Sequence, residues 1–204
     1  MAAGAPEWVV REDAGIPVLV ALYLRQSLGI RYPEELPQLR GVPSAAPEEF
    51  TDTAALERQW RAYWDMTVEP QAHTSPVPLE LVDDFATFVA LPTEGAEELR
   101  AAIAPFADAA IAYAEAEAQR YGDRVSADAR SGGSSYRAYA SAIAQHERAA
   151  GRRAHSFELN VQVLPLTQRG VWWIGALTVA VTDGLRGDVV AFDTAIAPII
   201  ADIA

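Results

Sequence analysis

The chain has 204 residues, half of them hydrophobic and 22% charged, which excludes a disordered chain and suits one globular domain spanning residues 1–204. With no cysteine it has no disulfide, thiolate zinc site or cysteine nucleophile, and it fits a reducing, cytoplasmic compartment. All sixteen basic residues are arginine, which removes lysine chemistry, and the net charge of −12 argues against nucleic acid and anionic membrane as partners.

The charge is uneven. Residues 1–102 hold 7 arginines against 17 acids, whereas residues 103–204 hold 9 against 11. The apolar run Ala14–Leu24 is too short to span a membrane, which takes roughly 20 residues. Glu7, Glu12 and Asp13 precede it where a secretory leader needs positive charge.

The first apolar segment, Pro17–Leu28, suits a buried helix with Pro17 in its first turn, although Val18 and Val20 also suit a strand. Residues 32–47, with four prolines, read as a surface loop. A helix is expected over 52–66, where Leu56, Trp60, Tyr63 and Thr67 share a stripe with Trp64 beside them. That aromatic stripe reads as core more readily than as a stacking platform. A second proline-rich break, 70–78, precedes a helix expected over 79–91 on the spacing of Leu81, Phe85 and Phe88. From 94 to 121 the pattern is helical again, interrupted at Pro105. Residues 126–135 are small and polar and read as a serine-glycine loop, followed by a helix to about Ala150.

After Gly151 the period changes to two. Phe157, Leu159, Val161 and Val163 alternate with polar residues, and Val171–Thr182 reads as the antiparallel partner strand. Asp188 then caps a final amphipathic helix. The expected fold is α+β: a predominantly helical single domain with a C-terminal antiparallel β-hairpin in a small sheet.

No sequence fingerprint of catalysis is present, so the leading functional expectation is a non-catalytic interaction protein that binds itself or another protein. Its surface would be the outer face of the hairpin. Adjacent residues on a strand point to opposite faces, so Trp173 would face inward and Trp172 outward. Trp172 would share that outer face with Ile174, Thr178, Asn160 and Gln162, an apolar anchor among polar groups. Alternatively, helices of the same chain cover this face.

The second expectation is a small-molecule enzyme or binding protein with a phosphate or carboxylate site. Arg120–Arg153 holds seven arginines and three acids. Within it, Ser134, Ser135 and Arg137 stand where a loop enters a helix whose first amides would be unpaired. The plainer account is a flexible loop with a serine cap. Glu117 and Glu147 lie on apolar helical stripes, with His146 and His155 near, but no pair has a ligand spacing. No metal or cofactor is expected.

Overall fold

The computed structural model describes residues 7–43, 53–130 and 136–204. Strand β1 (Trp8–Asp13) leads into helix α1 (Ile16–Ser27), and helix α2 (Thr53–Val68) follows. Two short strands come next, β2 (Leu79–Leu81) and β3 (Ala90–Pro92). Helix α3 (Glu97–Ile103) and the long α4 (Ala107–Arg130) are separated by a 3-10 turn at Ala104–Phe106. After α5 (Arg137–Ala150) come β4 (Phe157–Leu164), β5 (Val171–Trp173) and β6 (Thr178–Thr182). The short α6 (Asp183–Arg186) and then α7 (Val189–Ile203) close the chain. Among the described residues, no helix is long and apolar enough to cross a membrane.

The chain divides into two compact units. The sheet unit comprises Met1–Asp13, Tyr121–Leu164 and Arg169–Ala204; the helical unit comprises Ala14–Arg120 and Pro165–Gln168.

In the sheet unit, four strands lie in the order β1-β4-β6-β5. β1 and β4 run parallel, as do β4 and β6, while β5 is antiparallel to β6. Every residue of β6 is buried. One face packs on α5 and α7: Leu159, Val161, Val179 and Val181 meet Tyr139, Ile143, Phe192 and Ile196. Each fully buried side chain of this size contributes about 1.5–3 kcal/mol. Asp188 caps α7 by accepting from the Ala191 N–H at 3.2 Å. Gly151 ends α5 at φ 66°, a left-handed cap that glycine adopts without penalty.

The structure corrects the expected pairing of Phe157–Leu164 with an antiparallel strand Val171–Thr182. The chain reverses at Ile174–Leu177, where the Ile174 and Gly175 N–H groups both donate to the Thr178 carbonyl. What reads as one strand is therefore two, and only β5 is antiparallel. β6, pointing the other way, lies parallel to β4.

The helical unit is built around α1, whose middle turns are buried on all sides. The aromatic stripe of α2 is core: Trp60 and Trp64 are fully buried and their rings stack at 6.3 Å. The proline-rich segment after α1 is tied down rather than loose. Leu36, Leu39 and Val42 are buried, and Gln26 donates to the Leu39 and Val42 carbonyls while accepting from the Leu39 N–H. Leu39 also bridges to Leu166. As expected, Pro105 interrupts the helical run, at the 3-10 turn.

The helix expected over 79–91 is absent. Two short antiparallel strands flank a loop in which Asp84 (φ 67°) and Ala86 (φ 49°) take left-handed conformations that no α-helix admits. Successive tight turns, Val82 to Phe85 and Phe85 to Phe88, space the apolar residues three apart and so imitate a helix. Residues 126–130, expected in the serine-glycine loop, belong to the last turns of α4.

Candidate functional site

A buried polar cluster of the sheet unit sits at the carboxyl end of β1. Val10 and Glu12 are two residues apart and so share a face. Val10 enters the core, and two residues on the Glu12 carboxylate is left 5% exposed. A carboxylate so placed requires donors, and three elements provide them. Tyr121 on α4 donates its hydroxyl to Oε1 at 3.1 Å. Tyr139 on α5 donates to Oε2 at 2.6 Å, and Arg186 on α6 donates its Nε to the same oxygen at 2.8 Å.

The cluster is braced from behind. The Arg186 guanidinium lies 4.7 Å over the Phe192 ring, which meets Tyr139 edge-on at 5.6 Å. Next to it Arg124 pairs with Asp183 at 3.3 Å. Glu12, Tyr121, Arg124, Asp128, Asp183 and Arg186 are among the residues around a cleft of about 50 Å³.

Burial raises the pKa of both tyrosines, and the negative charge and hydrogen bond of Glu12 raise it further. Burial alone would lower Arg186, but its hydrogen bond and ion pair with Glu12 outweigh that and hold it above its ordinary value. Both hydroxyls thus keep their protons and the guanidinium keeps its charge. All three donate to one carboxylate, whose oxygens are occupied. The arrangement joins four elements and offers no activated nucleophile.

The residues expected at sites fall elsewhere. Ser134 and Ser135 lie outside the described residues, and Arg137 is exposed at the start of α5. The N-cap of this helix, Tyr136, makes no side-chain cap. The arginine-rich stretch gathers instead at the other end of α5, where Arg148, Arg152 and Arg153 border an open depression of about 450 Å³ with Glu147. Glu147 accepts from the Ala154 N–H at 3.0 Å, and Glu117 pairs with Arg120. His146 holds a buried Nε2 without a hydrogen-bond partner. Among the described residues, no group of three or more histidines and acids could hold a metal ion.

On the hairpin, Thr178 and Ile174 are buried at 1% and 9% exposure, and Asn160 and Gln162 are half-buried. They form no open face with Trp172, whose ring instead lies over Gly170. Trp173 stands opposite Val179, on the side expected, yet it is 38% exposed because β5 is the last strand of the sheet.

Sequence reasoning passes over Glu12, Tyr121 and Arg186 as a group. They come from positions as far as 174 residues apart, and no local pattern links them. No family model matches the chain, and neither the curated proteins nor the solved structures hold a match.

Proposed function

We propose that the protein acts by binding, and that it associates with a second copy of itself along the open edge of β5. The single observation that carries this reading is the character of that edge. In an antiparallel pair, residues alternate between those bonded to the partner strand and those whose N–H and C=O point away. Gly170 and Ile174 bond to β6, so Val171 and Trp173 direct their backbone groups outward. No described strand pairs with them.

Soluble proteins protect such edges with charge, proline or a bulge, and Val171-Trp172-Trp173 has none of these. The other edge strand, β1, carries Arg11, Glu12 and Asp13 and is protected. Apolar side chains flank the β5 edge at both ends. Trp173 and Leu177 are 38% and 43% exposed at one end. At the other, the Arg169–Asp188 ion pair (2.6 Å) sets the exposed Val189 and Val190 beside the start of the strand.

Relative to the expected outer face, the surface proposed is the rim of the hairpin. Sedimentation velocity over a range of concentrations tests it. Wild type should sediment as a concentration-dependent dimer, and Trp173→Pro should shift it to monomer. Proline at 173 removes an outward N–H without disturbing a bond to β6. A wild-type monomer at every concentration, or a dimer untouched by Trp173→Pro and Leu177→Glu, overturns the proposal.

A further inference from the structure

The helical unit holds a cleft of about 580 Å³, a volume typical of small-molecule sites, between the end of α1 and the segment after it. Arg25, Gln26, Arg31, Leu36, Gln38 and Thr167 are among its lining residues. Arg25 occupies the last turn of α1 and is only 7% exposed. Its Nη2 donates to the carbonyls of Arg31 (3.0 Å), Pro33 (2.7 Å) and Leu36 (2.9 Å), and its Nη1 to that of Pro37 (3.3 Å). Its Nε is buried with no acceptor.

No carboxylate among the described residues pairs with this guanidinium. The contrast with Arg186 is direct. Arg186 is more exposed and has Glu12, whereas Arg25 has only carbonyl dipoles and the negative end of its own helix. Burial without a counter-charge pulls the Arg25 guanidinium down to about 10. Buried charges are ordinarily paired, so one left unpaired in the wall of a cleft calls for an anion from outside. Arg31, exposed and also lining the cleft, adds a second cation, against one exposed carboxylate in the lining, Glu34. Gln38 and Thr167, both exposed, add amide and hydroxyl groups able to hold polar substituents.

We propose that this cleft binds a small polar molecule through an oxyanion, carboxylate or phosphate, that completes the charge balance of Arg25. The inference is independent of self-association, since it rests on residues of the other unit.

Isothermal titration calorimetry at low ionic strength, with citrate and with inorganic phosphate in separate titrations, decides the matter. One-site saturable binding of at least one of them is expected, and which one binds identifies the source of the oxyanion. Arg31→Ala should weaken it about tenfold, the scale of one charge-assisted contact. Arg25→Lys keeps the charge but not the planar fork, and should weaken it as well. Arg25→Lys risks the fold, so Arg31→Ala carries the result if circular dichroism shows the lysine variant unfolded. The double variant Arg152→Ala/Arg153→Ala removes exposed arginines from the sheet unit and should leave binding unchanged. Absence of saturable binding to wild type with both anions overturns the proposal. So does binding that survives Arg31→Ala intact, or binding abolished by the Arg152/Arg153 variant.

Discussion

The Tyr139 hydroxyl donates to the Glu12 carboxylate at 2.6 Å, joining residues 127 positions apart on α5 and β1. Arg186 shares the same oxygen, so removing the carboxylate strands three donors at once. Glu12→Ala should cost about 3–5 kcal/mol, the penalty for leaving a buried charge unpaired. Tyr139→Phe should cost about 1.5–3 kcal/mol, the ordinary loss of one hydrogen bond to a charged group. Urea unfolding of both single variants and the double variant checks this. The double variant should lose less than the sum, because the two share one contact. Strict additivity would mean that the bond contributes nothing.

The raised tyrosines have a consequence for alkaline stability. Tyr63, Tyr121 and Tyr139 all hold their protons above the ordinary value of 10.0, chiefly through burial. Their contribution is whole below pH 10 and is lost as pH climbs from there toward the folded values, because the unfolded chain ionises first. Each group adds a slope of up to about 1.4 kcal/mol per pH unit. Arg25, held low, acts in the opposite sense. The difference between wild type and Tyr139→Phe isolates one tyrosine: the variant's urea midpoint should fall less steeply between pH 10 and 11.5. Parallel curves would refute the assignment.

Gly170 is required by its neighbour. A Cβ there would stand 2.8 Å from Cη2 and 2.9 Å from Cζ2 of the Trp172 ring, closer than contact allows. Gly170→Ala should destabilise by about 1–3 kcal/mol, the usual range for overpacking. It should also alter the emission of Trp172. Trp172→Leu in the same chain should relieve much of the cost, and a double variant as unstable as the summed singles would place the strain elsewhere.

At Gly151 the issue is backbone conformation alone. Its φ of 66° ends α5, and nothing lies within 4 Å of the point where a methyl group would stand. Gly151→Ala should therefore cost about 1 kcal/mol from the left-handed conformation, with no steric component. Gly151→Asn, better suited to that region, should recover part of it. A thermal midpoint equal to wild type in the alanine variant would show that the cap is not held as described.

The elements most legible in the sequence are those whose periodicity is set by their own burial. The apolar run Ile16–Leu24 of α1, the Trp60–Tyr63–Trp64 stripe and the alternation of Leu159, Val161 and Val163 each report their partners directly. β1 escapes notice because it is a parallel edge strand with charged residues over half its length, which resembles a loop. Residues 79–91 mislead for the reverse reason, since consecutive tight turns repeat every three residues. Val171–Thr182 reads as one strand, whereas the chain reverses at Ile174–Leu177, and that one difference turns a parallel neighbour into an antiparallel one. The Glu12 cluster is invisible in sequence because its members are assembled by topology. The buried Arg25 is a position where composition sees only one more arginine.

The sheet unit takes its first strand from before Ala14 and the rest of its strands from after Tyr121, with nearly all of the helical unit's sequence in between. On the ribosome, Trp8–Asp13 therefore emerges long before its partner strand β4 exists. Residues 14–120 are complete, apart from a short contribution near 165–168, while that strand is still waiting. Its apolar Trp8, Val9 and Val10 then remain without their partner strand while all the residues between β1 and β4 are synthesised, so this earlier-made stretch is more open to mispairing than the strand made after it.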